Sequence, residues 1–287
     1  YRLIIPFLLP SVGLYVWLVI SPYVQAMYIS LTRWKGLSKD PVFIGFENYQ
    51  RMLQDAHFWN ALQNNAFYIL ALPIITLAIA LFFGFILTQG VPLSKFYRIS
   101  YFFPQVMSIV AIGVLWSFVY HPTIGILTNL LQMIGIENPP VWLGNPSWVK
   151  PSISAVTIWQ AVGFYMVLFV AAMESIPISY YEAAMIDGAN RWRLFWSITI
   201  PLIWDTLQTA VIFIMIFATN MFAITQTMLV DGGPDRSGEV LSTFLYREAF
   251  QGSKFGYGTA VAVTLFLIVL FISVVIARVM SRESLEY

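Results

Sequence analysis

ESIPISYYEAAMIDGANRWRLFWSITIPLIW, residues Glu174–Trp204, is the stretch on which the reading of this chain turns. Its centre is too polar to cross a bilayer, yet the segment is far too apolar for a free loop. Pro177 stops a helix arriving from the N-terminal side, because proline lacks an amide N–H and clashes with the preceding turn. Ser179 followed by Glu182 has capping-box spacing, so a short helix is expected over Tyr180–Asp187. Gly188 then stands where a left-handed residue ends a helix. A second helical piece over Asn190–Ile200 leads to Pro201, at the expected start of the next long helix. Helix, sharp turn and helix at a membrane face make a small rigid knob for a partner.

Outward from this segment the chain is strongly apolar. Of its 287 residues 59% are hydrophobic and 10% charged, against roughly 45–50% and 25% in soluble domains. So few charges cannot cover that much apolar surface in water. The fold class is all-α integral membrane. A spanning helix needs about 20 apolar residues. Runs without Asp, Glu, Lys or Arg cover Leu3–Thr32, Phe58–Ser94, Ile99–Ile136, Pro151–Met173, Thr206–Val230 and Phe255–Ala277. Continuous runs, rather than alternation, favour helices over a barrel. Six transmembrane helices are expected within one domain, residues 1–287, at about 3–31, 66–88, 99–120, 152–174, 202–225 and 258–280. The helix–turn–helix segment, 176–200, lies between the fourth and the fifth. Pro6, Pro10 and Pro22 should kink the first helix or hold part of it at the interface. The sequence opens on Tyr1 rather than Met, which implies a short preceding piece.

Several chemistries are excluded. Fifteen basic and fourteen acidic residues give a net charge of +1, which offers no basic field for nucleic acid. No cysteine is present, so disulfides, thiolate metal sites and a cysteine nucleophile are absent. His57 and His121, without carboxylates at ligand spacing, read as surface or interfacial residues. The string Gly233-x4-Gly238 is followed by Glu239 instead of the lysine of a phosphate-binding loop, so this chain should not hydrolyse ATP. No zinc-protease or nucleophile-elbow string occurs. Even helix number places both termini on one side. With the termini inside, the inner segments hold Arg2, Lys95, Arg98, Arg191, Arg193, Arg278 and Arg282. The outer segments hold Arg33, Lys35, Lys39, Arg51, Lys150, Arg236, Arg247 and Lys254. The inner loops are shorter, so charge density favours cytoplasmic termini.

Glu182-Ala183-Ala184 with Gly188, Ile198, Ile200 and Pro201 resembles the EAA motif, E-A-A-x3-G-x9-I-x-L-P, of the membrane subunits of binding-protein-dependent ABC importers. Ile200 stands where the family has leucine. Phe43–Tyr49, Gly113–Pro122 with Gly125 and Asn129, Gly232-Gly233-Pro234 and Phe255–Ala260 resemble further segments of carbohydrate permeases of the maltose and glycerol-phosphate type. The nearest likeness is to the N-acetylglucosamine or chitobiose branch. This resemblance implies a type I, MetI-like, permease in the bacterial inner membrane. It also implies a second homologous permease, two ATP-binding subunits that carry ATP and magnesium, and an extracytoplasmic sugar-binding protein. No cofactor is expected on this chain itself, and membrane lipid surrounds it. The same motif occurs in importers of non-sugar solutes, such as glycerol phosphate or polyamines, and an ion-coupled secondary transporter is the rival class.

The resemblance implies that Glu182, Ala183, Ala184, Gly188, Ile198 and Pro201 couple the chain to an ATPase. Glu182 reads either as an interface carboxylate or as a helix cap. Arg191 and Arg193 read equally as lipid ligands, as markers of the inner side, or as ATPase contacts. Thr157, Gln160, Ala161 and Phe164 share one helix face, and Phe213, Phe217, Asn220 and Ile224 share another. Sugars offer hydroxyl edges and apolar faces, so Thr157, Gln160, Phe164, Phe217 and Asn220, with Trp116 and Tyr120, are candidates for a substrate path. Helix–helix hydrogen bonds and ring packing explain the same residues equally well. Asp205 reads as a first-turn dipole residue or a proton carrier. Asp231-Gly232-Gly233-Pro234-Asp235 reads foremost as an outer turn, with contact to the binding protein as its second reading.

Overall fold

The structure, a computed structural model, describes residues 4–36 and 41–281, with side chains from Leu8 onward. Arg2, Lys39 and Arg282, three of the charges weighed for orientation, lie outside the described residues. Among the described residues four helices are long and apolar enough to cross a membrane: α1 (Leu8–Ser30), α3 (Ala56–Thr88), α7 (Pro146–Glu174) and α13 (Phe255–Val279). Two bent pairs also qualify if each counts as one span. The first pair is α4 (Ser94–Val106) and α5 (Ile109–Val119), bent by 97°. The second is α9 (Arg191–Leu202) and α10 (Trp204–Thr219), bent by 75°. The shorter elements are β1 (Thr32–Arg33), β2 (Val42–Phe43), α2 (Glu47–Gln54), α6 (Ile126–Met133), α8 (Ile178–Ile186), α11 (Phe222–Met228) and α12 (Leu241–Tyr246).

The spans expected at 99–120 and 202–225 thus each contain a sharp bend. Pro104 sits in the last turn of α4, where its missing N–H and ring weaken the ladder, and Ser108 is extended at ψ 129° before α5 restarts. In the second pair Pro201 occupies the last turn before the bend instead of opening the long helix, and Ile203 leaves helical geometry at φ −97°, ψ 15°. Asn220, at φ −113° and ψ 54°, then ends α10 before α11 begins. In α1 Pro10 lies inside the helix. A wide π turn over Val16–Ile20 closes with the Ser21 amide on the Val16 carbonyl, just before Pro22, which has no amide to donate.

The chain divides into two compact units, Tyr1–Leu62 with Val240–Ile268, and Gln63–Glu239 with Val269–Tyr287. In the first unit Met52, Phe58, Ala61, Leu241, Phe244, Tyr257 and Val261 form the core. Two of the sequence segments singled out above meet around the end of α1. Asn48 is buried and its amide donates to the Ser30 and Thr32 carbonyls, both at 2.8 Å. The Tyr49 hydroxyl donates to Ser30 Oγ at 2.8 Å. Gly256 donates its amide to the Trp34 carbonyl at 3.1 Å, and a Cβ there would lie 2.0 Å from the Thr32 oxygen. These residues are structural pins. Asn48→Leu is expected to leave two buried carbonyls unpaired and to cost about 1–3 kcal/mol. Thermal unfolding in detergent checks this, and an unchanged Tm would remove the pin from the account.

Beside that pin the Tyr257 hydroxyl donates to Asp55 Oδ2 at 2.8 Å, and the Arg51 guanidinium lies 4.8 Å from the Tyr257 ring centre. Burial pushes the Asp55 carboxyl up. Hydrogen bonds from Tyr257 and the His57 amide, with the His57 charge, more than offset it and hold the group below its usual range.

In the second unit α7 is the central helix, with Ile153, Val156, Met166 and Phe169 fully buried. Small residues make the crossings, as membrane helix packing requires. Gly163 of α7 meets the backbone of Tyr101 in α4, Gly84 of α3 faces Met166 and Phe169, and Gly113 of α5 faces Thr227 of α11. Asn64 and Asn65 are buried in α3. Asn65 reaches the Ala218 and Thr219 carbonyls, at 3.4 and 3.3 Å, that end α10. Asn64 donates to the Glu239 and Arg236 carbonyls at 2.9 and 3.2 Å. That contact holds the Asp231–Glu239 loop, where Asp231, Gly232, Gly233, Asp235 and Arg236 all have positive φ.

Candidate functional site

The knob between α7 and α10 is built from the chain outward. Pro177 is extended at ψ 133° and precedes α8 as its cap residue, with no side-chain cap bond. The helix begins at Ile178, two residues earlier than its expected start at Tyr180, because Pro177 already has the dihedrals a cap needs and lacks an N–H to satisfy. Ser179 thus falls inside the helix and Glu182 beyond its first turn, so the capping reading of Glu182 does not hold. At the far end Gly188 has φ +80°. Its amide meets the Met185 carbonyl at 3.0 Å, and the Ala189 amide meets the Ala184 carbonyl at 2.9 Å. Those two bonds define a Schellman stop. No atom lies within 4 Å of a Cβ at Gly188, so backbone conformation alone calls for glycine.

The chain then restarts at once. Asn190 Oδ1 accepts from the Arg193 amide at 2.9 Å and caps α9. The middle of α9, Phe195–Thr199, is a π turn, and the Tyr181 hydroxyl lies 3.2 Å from Thr199 Oγ1, which ties α8 to it. At the base of the knob Arg98 pairs with both oxygens of Glu174.

α8 buries no residue. Glu182 and Ala183 are exposed and Ala184 half-buried, while Ile198 and Pro201 are half-buried. Among the described residues Glu182 has no ion pair or side-chain hydrogen bond. Ile178 is 71% and Ile186 86% exposed, so an unpaired carboxylate stands on a helix flanked by bare apolar groups. Such exposed apolar groups around an unpaired charge make this helix the candidate contact surface.

The path candidates are scattered more widely. Thr157 and Gln160 are buried and Phe164 half-buried. The Thr157 hydroxyl donates to the Ile153 carbonyl at 2.8 Å, whereas Gln160 Oε1 is buried without a partner. Phe217 is half-buried and Asn220 exposed at the break after α10. Ile224 belongs to the next helix and is buried, so the expected four-residue face 213–224 is split in two. The Tyr120 hydroxyl donates to the Ser152 carbonyl at 3.1 Å. Trp116 packs on Tyr120 and Trp159 with ring centres 5.3 and 5.5 Å apart. Trp142 adds to this cluster at 5.6 Å from Tyr120. Sequence reasoning passed over Trp159, and over the adjacent Asn64 and Asn65, whose signal was a pair of amides inside an apolar run. Asp205 is exposed in the first turn of α10. His121 Nδ1 accepts from the Thr123 and Ile124 amides, both at 3.3 Å, in a local turn. Among the described residues no three His, Cys, Asp or Glu side chains gather to hold a metal.

Residues 60–283 match the family described as binding-protein-dependent transport system inner membrane component. The chain belongs to this family. It is thus an inner-membrane permease component of a transport system and not a catalytic subunit. The permease is 39% identical over 270 residues to the diacetylchitobiose uptake system permease protein NgcF of Streptomyces coelicolor, covering 90% of this chain and 76% of that one. It is 34% identical to the probable ABC transporter permease protein YurN of Bacillus subtilis, covering 93% and 92%. Among solved structures it superposes on a chain of a bacterial ABC transporter involved in import of the acidic polysaccharide alginate, with a TM-score of 0.88. That match covers 99% of this permease and 96% of that chain at 22% identity, so it speaks for the fold.

Proposed function

We propose that this permease forms half of the translocation path of an ATP-driven carbohydrate importer, with β-linked amino-sugar disaccharides of the chitobiose class as its cargo. The observation that carries the proposal is the exposed α8–Gly188–α9 knob with its unpaired Glu182. The knob docks in a cleft of an ATP-binding subunit on the cytoplasmic side, with both termini on that side, and ATP and magnesium belong to that subunit. A second homologous permease completes the path, and an extracytoplasmic binding protein delivers the sugar. Closure of two ATP-binding subunits draws two such knobs together and opens the paired permeases outward. Hydrolysis resets them.

Within the path, Gln160 is the strongest substrate candidate, since a buried acceptor without a partner is costly unless something arrives to meet it. Phe217, Phe164 and Trp116 supply rings for the apolar faces of a sugar, and Thr157 and Asn220 line its approach. Tyr120 supports Trp116 from behind, its hydroxyl being engaged with the backbone. The substrate class draws support from the named cargo of the Streptomyces relative.

A gentle detergent pull-down of the tagged chain from native membranes tests the assembly. An ATPase, a second motif-bearing permease and a binding protein are expected to co-purify, and the binding protein is expected to take up chitobiose-class sugars. A chain that purifies alone under several mild detergents overturns the importer, and a binding protein selective for glycerol phosphate or a polyamine overturns the cargo.

A further inference from the structure

A cavity of about 950 Å³ opens along one face of α3. Leu70, Ile74, Leu77, Leu81 and Phe85 line its length, one helical stripe at i, i+3 and i+4 spacing. Phe195 and Trp196 of α9 and Met215 of α10 form the facing wall. The Phe85 and Phe195 rings, 4.8 Å apart, join the end of α3 to α9. At that same end, and nowhere else in the lining, stand the polar side chains Gln89 and Arg191. Arg191 is exposed and has no ion pair among the described residues. Beside it Trp192 is 69% exposed, the placement of an interfacial anchor.

An apolar trough with a single cation at one end complements an amphiphile with an anionic head. The trough is a poor seat for another helix. The closest helix crossings of this unit use glycine, at Gly84, Gly113 and Gly163, as membrane helices do to bring backbones close. The trough is lined by bulky side chains, with Ala78 its one small residue. Flexible acyl chains conform to such a wall where a rigid helix does not.

We propose that this trough binds an anionic phospholipid, its acyl chain along α3 and its phosphate on Arg191. The lipid comes from the leaflet on the side of the α8–α9 knob. Only the naming of that leaflet as cytoplasmic rests on the importer reading. A bound head group at Arg191 also tethers the base of α9, one residue beyond the cap that restarts the chain after Gly188.

The test uses the permease with its co-purifying partners in nanodiscs, and phosphatidylglycerol or phosphatidylcholine carrying a diazirine in the acyl chain. Phosphatidylglycerol is expected to label α3 between Leu70 and Phe85. Arg191→Gln lowers that labelling about fivefold, the effect of one basic residue near an anionic surface. Arg191→Lys and Arg193→Gln retain it. Equal labelling by both lipids, or labelling indifferent to Arg191→Gln, overturns the site and leaves ordinary boundary lipid. A benzophenone cross-link from position 74 to another protein chain overturns it in favour of a helix. None of these readouts depends on sugar or ATP, so failure of the importer reading leaves the result standing.

Discussion

Sugar uptake is expected to fall at least tenfold in Glu182→Lys while the protein stays in the membrane at its usual level. Glu182 is exposed on α8 and has no ion pair within the described chain, so its replacement removes nothing the fold uses. A substitution of that kind usually changes stability by less than about 0.5 kcal/mol. Its effect must then fall on whatever α8 docks against. Loss of one partner of a buried, hydrogen-bonded charge pair costs about 2–5 kcal/mol, and each 1.4 kcal/mol is about tenfold in affinity. Lysine adds repulsion to that loss, whereas Glu182→Gln keeps the shape and should fall between the two. The checks are labelled-sugar uptake, membrane abundance by immunoblot, and ATPase stimulation by the sugar-loaded binding protein. Normal uptake by Glu182→Lys would falsify the coupling role. A fall in abundance that matches the fall in uptake would reassign Glu182 to stability.

The knob was legible because local signals govern it. Pro177, Gly188 and Asn190 each impose a backbone state through their own chemistry, and the structure puts an extended cap residue, a left-handed turn and a side-chain cap at those positions. What misled was Ser179. It has the spacing of a cap, but the proline two residues before it already serves as one. The bends at Met107–Ser108 and Ile203 were less legible, since a run of uncharged residues reads as one span whether or not its helix is continuous. A proline permits a break without saying whether neighbours will bridge it. The shared helix face 213–224 was lost for the same reason, because a period of 3.6 residues carries a side chain around a helix only while that helix continues past Asn220. Partners distant in sequence, such as Asn65 with the end of α10 or Asn48 with the end of α1, leave no periodic trace at all. Their sign was a polar amide in an apolar or interfacial setting, and that says only that a partner exists.

Gly163→Ala is expected to unfold the second unit or to cost more than about 4 kcal/mol, the range reached when overpacking meets something that cannot move. The added Cβ would lie 1.8 Å from the Tyr101 oxygen, 2.3 Å from its carbonyl carbon and 2.8 Å from the Phe102 nitrogen. All three are backbone atoms, so no rotamer change relieves the clash. Either α4 lifts from α7 along the crossing, or α7 shifts out of the buried position held by Ile153, Val156, Met166 and Phe169. Gly84→Ala is the matched control, a glycine at another crossing onto the same helix. Its Cβ would meet the Met166 oxygen at 3.5 Å and the Phe169 side chain at 3.6 Å, ordinary contact distances. There alanine should be neutral, or stabilising by about 0.4–1 kcal/mol through the unfolded chain. Thermal unfolding of both variants in one detergent separates close backbone approach from a general preference for small residues. A Gly163→Ala variant with the parent Tm would mean that α4 and α7 do not touch as described. The base of the knob would then need another support, because the Arg98–Glu174 pair joins the same two helices.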